Sequence, residues 1–101
     1  MIAPLAHLLD ELAADAPGVE ATSLDGATTW LRGAQPFCAT GPRGVELRLE
    51  RAIAAAAART PDAGPSSRGP EWVRFNPREL DAHAVDRVTA WFGLAYRLAG
   101  S

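Results

Sequence analysis

The sequence predicts an α+β domain. Specifically, it predicts a two-layer sandwich in which an antiparallel sheet of about five strands carries the N- and C-terminal helices on one face. Apolar residues recur at helical spacing near both ends of the chain, and the stretch between them breaks into short runs separated by turn residues. An Asp25–Gly26 pair between two such runs supplies the strongest hairpin signal, because a type I′ turn needs positive φ at both central residues.

Residues 3–15 form the first predicted helix. Leu5, Leu8, Leu9 and Leu12 make one apolar stripe, Asp10, Glu11 and Asp15 take the other side, and Pro17–Gly18 stops it. From Val19 to Leu49 the pattern is that of an antiparallel meander, with turns at Asp25–Gly26, Gly33 and Gly41–Pro42. Val45, Leu47 and Leu49 alternate with Glu46 and Arg48, as in a strand with one wet face. The alanine run "ERAIAAAAAR" at 50–59 is a helix by propensity. "TPDAGPSSRGP", about 60–70, is rich in proline, glycine and serine and reads as a flexible loop. "EWVRF" is a fifth strand. Asn76, Pro77 and Glu79 then carry the chemistry of a helix start, and the last helix is expected over about 77–98. Its core seam is expected to be Leu80, Ala84, Val88, Trp91, Ala95 and Leu98, all within an arc of roughly 80°. Arg87, four residues before Trp91, is placed to lay its guanidinium over the indole or to pair with an acid.

At 101 residues, 48% apolar and 22% charged, the chain has the make-up of one globular domain, residues 1–101. The net charge of −2 disfavours a protein devoted to polyanions. All ten basic residues are arginine. A lone Cys38, no signal-peptide pattern at the N-terminus and no apolar run near the ~20 residues of a membrane span predict a cytoplasmic protein without a membrane partner.

No glycine-rich phosphate loop occurs, and without lysine there is no Walker A motif. "GPSSRG" lacks the G-x-S-x-G frame of a nucleophile elbow. His7 with Glu11, and Glu79 with His83, could each put two ligands on a helix face, fewer than the three or four that a metal site uses. Cys38 in "PFCAT" reads as a buried thiol with a raised pKa. No catalytic constellation, cofactor or metal is expected.

The aromatic-plus-arginine positions remain as candidate binding residues: Trp30, Arg32, Trp72 and Arg74, together with His83. On a strand, Trp72 and Arg74 share one face and Val73 and Phe75 the other. Joined to Trp30 and Arg32, they would make a stacking platform of the kind that holds single-stranded nucleic acid.

The element order resembles the YjbR/MmcQ family: a leading helix, a hairpin-rich meander, an alanine-rich helix, a "W-V-x-F" strand and a closing helix ending "LAYRLA". The stretches "TTWLRGAQPFCATGPRGVELRL" and "EWVRFNPRELDAHAVDRVTAWFGLAYRLA" are also similar to the small luciferase-domain-like proteins of GC-rich bacteria, with "PFCATG" standing where those carry a histidine-containing segment. The resemblance covers nearly the whole chain, implies an α/β sandwich of double-wing layout, and brings no catalytic residues. The leading expectation is a non-enzymatic interaction domain, a homodimer or accessory subunit, with a protein partner or self-association. The alternatives are a nucleic-acid binder using the Trp72/Arg74 face, disfavoured by net charge, and a small-molecule site between the sheet and loop 60–70 using Arg32, Arg74 or His83.

Overall fold

The computed structural model describes residues 2–101. Three helices and six strands follow in the order α1 (Ile2–Ala14), β1 (Val19–Leu24), β2 (Ala27–Arg32), β3 (Gln35–Gly41), β4 (Gly44–Arg48), α2 (Arg51–Ala57), β5 (Ala63–Ser66), β6 (Gly69–Phe75) and α3 (Ala82–Ala99). The strands form one antiparallel open sheet, ordered β1-β2-β3-β4-β6-β5. The expected α+β sandwich is therefore the fold, with one strand more than expected. Among the described residues, no helix is long and apolar enough to cross a membrane.

Asp25 and Gly26 both have positive φ, 53° and 80°, and close the β1–β2 hairpin with Leu24 opposite Ala27. The β2–β3 ladder slips by one residue at Trp30/Leu31, so that Phe37 and Cys38 both lie against Trp30. That bulge adds an aromatic ring to the covered face. Phe37 packs edge-to-face on Phe92 and Tyr96 of α3, with ring centroids 5.3 and 6.0 Å away.

α1 and α3 pack on β3 and β4, and α2 packs on β6 and β5. One core results, with Leu5 and Leu9 from α1, Ala54 and Ala57 from α2, and Ala84, Val88, Phe92 and Ala95 from α3. These meet Trp30, Phe37, Cys38, Val45, Leu47, Val73 and Phe75 of the sheet. Because Ala54 and Ala57 are small, α2 lies close on β6 without large side chains of its own.

Two sequence expectations are corrected by this geometry. The stretch read as a flexible loop, 60–70, contains β5, which pairs with β6 from Ala63 opposite Phe75 to Ser66 opposite Gly69. Its proline is tolerated because β5 is an edge strand, where only one side of the backbone needs ladder hydrogen bonds. The last helix starts at Ala82 rather than near residue 77. Asn76 still donates its N–H to the Asp62 carbonyl at 2.9 Å, and Pro77 is buried, so residues 76–81 carry the chain from sheet to helix layer. Asp81 is the cap, accepting the Ala84 N–H at 2.8 Å.

The buried stripe of α3 also differs from the expected seam: Ala84, Val88 and Ala95 are buried, but Phe92 takes the place of Trp91 and Leu80 lies ahead of the helix. Phe92 is buried at 4% exposure, while Trp91 is half-buried at the flank, edge-to-face with Phe75 at 5.2 Å. Arg87 does as its position predicts: its guanidinium carbon lies 5.1 Å from the Trp91 ring and 4.4 Å from Phe75.

Candidate functional site

Side chains alternate along each strand, so a sheet with all its helices on one side presents a second set of residues on the other. On this uncovered face the ladder sets Thr22 beside Thr29 and Ala39, Glu20 beside Leu31, and Leu24 beside Ala27. Further across, Glu46 stands opposite Arg74, and Arg48 opposite Trp72. The face is thus apolar and threonine-bearing at the β1–β3 end and charged at the β4–β6 end. Leu24, at 76% exposure, is the most exposed large apolar residue of the described chain.

The charged end is unevenly paired. Glu46 faces Arg74 across the ladder, yet its carboxylate turns the other way. One oxygen takes the Arg68 Nε–H at 3.1 Å and the other accepts the Ser66 hydroxyl. Arg48 reaches Glu71 at 3.4 Å, and Arg68 also lies over the Trp72 ring at 5.2 Å. Outside the backbone ladders, the Arg74 side chain makes no hydrogen bond or ion pair among the described residues. Its guanidinium lies across Gly64, its ladder partner on β5, where a Cβ would come within 2.6 Å of Nη2. Arg43, at the tip of the β3–β4 hairpin, is exposed and likewise unpaired. Arg43 and Arg74 both line an open cleft of about 390 Å³ with Pro42, Glu46, Pro65 and Ser67.

The five residues singled out from the sequence fall in three places. Trp72 and Arg74 share the uncovered face. Trp30 is on the opposite face, 1% exposed in the core, so the four-residue stacking platform does not form. Arg32 joins Trp30 on the helix side and serves the end of α3. Its Nη1 donates to the Tyr96 carbonyl at 3.0 Å, and its guanidinium carbon sits 4.0 Å from the Tyr96 ring. A cation at that end suits the negative pole of the helix. His83 is exposed in the first turn of α3, beside a separate cleft of about 210 Å³.

Neither histidine pair builds a metal centre. His7 Nε2 is 2.8 Å from Glu11 on an exposed face of α1, and Glu79 lies ahead of α3, off the helix that carries His83. Among the described residues no three His, Cys, Asp or Glu side chains converge. Burial drives the Cys38 thiol far above the ordinary cysteine range, only partly offset by the Arg68 charge. The thiolate needed for nucleophilic or metal chemistry is therefore strongly disfavoured.

Sequence reasoning missed Arg43, Gly64, Ser67 and the role of Glu46. The alternation of Glu46 and Arg48 was visible. What Glu46 would pair with depended on β5, which the composition of 60–70 concealed.

The sheet's two edges are finished differently. β5 is four residues long, contains Pro65 and has an irregular register before Ser66. β1 is six residues, "VEATSL", in unbroken register with β2 from Val19 to Leu24; it contains no proline and is exposed from Glu20 onward. Comparisons with protein-family models, curated proteins and solved structures find no match.

Proposed function

We propose that the chain is a non-enzymatic interaction domain that works as a pair of copies, joined at β1 into one continuous sheet. The observation that carries this reading is the contrast between the two edges. Proteins blunt an edge that must stay alone by shortening it, bulging it or placing proline or inward charge on it. β5 has the first three of these devices, whereas β1 is longer, regular and free of proline, with Glu20 as its one charge. The outward N–H and C=O groups of β1 are a template for another strand.

A second copy fits that template. With the two-fold axis perpendicular to the sheet, both helix layers lie on the same side, and residues of one face must oppose residues of the same face. Two central registers satisfy this: Ala21 opposite Ala21, or Thr22 opposite Thr22. The first sets Glu20 beside Thr22, and the second sets Glu20 beside Leu24, so in neither do the only charges of β1 oppose each other. Five residues of β1 pair in either register, a small interface that places the association in the weak, concentration-dependent class.

Sedimentation over a wide concentration range tests it, with Thr22→Asp as the variant. Thr22 is exposed, so the variant keeps the monomer fold. In the first register its new carboxylate meets Glu20, and in the second it meets itself. Like charges directly opposite cost ~0.2–1 kcal/mol each. The two symmetric pairs of the first register, or the single pair on the axis of the second, together with lost packing weaken association by roughly tenfold. A wild-type chain that stays monomeric at millimolar concentration, or a Thr22→Asp chain that associates equally well, contradicts the proposal.

A further inference from the structure

We infer that the cleft between the β3–β4 hairpin tip and the β5–β6 hairpin is a binding site for a small ligand carrying an oxyanion, a phosphate or carboxylate group, held by Arg74 and Arg43.

The first argument is the missing ion pair. Residues directly opposite in an antiparallel ladder have Cβ atoms ~4.5–5.5 Å apart, and opposite charges there attract. Glu46 and Arg74 hold such positions, yet both carboxylate oxygens of Glu46 are engaged by Ser66 and Arg68. A half-buried guanidinium is left without an anion. Partly desolvating a cation without a partner is unfavourable, and a bound oxyanion removes that cost.

The second argument is that the Arg74 guanidinium has a seat beside the cleft. Its guanidinium occupies the notch left by the absent side chain of Gly64, which is itself buried. Gly64 has no positive φ to explain the choice of glycine. A Cβ there would press on the Arg74 guanidinium, so the glycine leaves the space in which that group lies. A long side chain that already lies beside the site loses less conformational freedom on binding.

The third argument is the surroundings. Arg43 stands unpaired across the cleft, and Ser67 contributes to its wall. Three arginines, Arg43, Arg68 and Arg74, surround the single carboxylate of Glu46, in a chain whose net charge is −2. Guanidinium groups match phosphate and carboxylate oxygens through paired N–H donors. At about 390 Å³ the cleft lies toward the lower end of the ~300–1,000 Å³ range of small-molecule sites, larger than a bare anion needs.

The site is independent of the β1 edge, which lies on the far side of the sheet, so each proposal can fail without the other. The test is a ¹⁵N NMR titration at low ionic strength with inorganic phosphate and, separately, succinate, against a sodium chloride control of equal ionic strength. Saturable shifts at residues 41–45, 64–67 and at the Arg74 Nε–H are expected from at least one of the two anions and not from chloride. Arg74→Gln is expected to weaken binding at least tenfold and Arg43→Gln severalfold, while Arg59→Gln, which removes an exposed arginine on another surface, leaves it unchanged. Gly64→Ala keeps every charge but displaces the guanidinium from its notch, and should also weaken binding severalfold. Shifts that do not saturate, or that persist in Arg74→Gln, overturn the site. Full affinity in Gly64→Ala overturns the positioning argument. Finally, a 12-nucleotide single strand is titrated in parallel. Tight, steeply salt-dependent binding of that strand that is lost in Trp72→Ala would replace the small ligand with nucleic acid.

Discussion

Replacing Trp30 with alanine will destabilise the fold by ~3–5 kcal/mol, the range for truncating a large buried aromatic. Trp30 is 1% exposed on β2, opposite the bulge that brings Phe37 and Cys38 against it. Its removal opens a cavity bordered by sheet residues that cannot close in, because the β2–β3 and β1–β2 ladders hold their backbones on both sides. Such a loss is a large part of the ~5–15 kcal/mol that a domain of this size typically has. The other two tryptophans provide internal comparisons. Trp91 and Trp72 are half-buried, so each alanine variant should cost clearly less than Trp30→Ala. Denaturant midpoints at unchanged m-value check the order. A Trp30→Ala midpoint close to wild type would contradict the placement of this ring in the core.

Gly44→Ala will be comparably damaging although it adds a single carbon. Gly44 opens β4 with φ at 105°, a conformation L side chains rarely adopt. A Cβ there would collide with the Phe75 carbonyl oxygen and come within 2.9 Å of the Asn76 Cβ. Neither neighbour can swing away. The Phe75 carbonyl belongs to β6, and Asn76 is tied to Asp62 through its N–H. The backbone strain costs ~1–3 kcal/mol, and the overpacking adds a similar ~1–3 kcal/mol. Gly26→Ala is the control. Its φ is also positive, at 80°, but a Cβ there meets nothing within 4 Å. Gly44→Ala should therefore unfold at clearly lower denaturant than Gly26→Ala, and equal midpoints would show that the close approach at Phe75 is not real.

Much of the fold was legible because its signals are local. The leucine stripe of α1, the alanine run of α2 and the Asp25–Gly26 turn need only a few neighbouring residues to be read. The start of α3 was misread because two capping sets compete. Asn76-Pro77-Arg78-Glu79 has the better sequence pattern, but the chain must first climb from the sheet to the helix layer, and Asp81 is the first cap available after that climb. β5 was hidden for a similar reason: proline, glycine and serine signal a loop unless an edge position makes them harmless.

The candidate site was half legible. Alternation alone put Trp72 with Arg74, and Trp30 with Arg32. It could not say whether the two pairs share a face, since "ATTWLR" mixes polar and apolar residues in both of its alternating sets. Only the register of four paired strands separates them. Arg32 looked like a ligand contact because its partner, the carbonyl at Tyr96, lies 64 positions along the chain. Arg74 was recognised, but its want of a partner depends on where Glu46 turns, which no sequence pattern encodes.

The pairing of two β1 edges is tested most directly by amide hydrogen exchange in Val19–Leu24 at two protein concentrations. Half of these amides point toward β2 and are protected in the monomer. The others point outward, where a lone edge leaves them to exchange near the open-chain rate. If β1 pairs with β1, the outward amides will slow by at least tenfold between dilute and near-millimolar solution, and Thr22→Asp will reduce that change severalfold. Outward amides that exchange at one rate across the whole concentration range would show that the edge stays open and that the domain does not work as a strand-paired dimer.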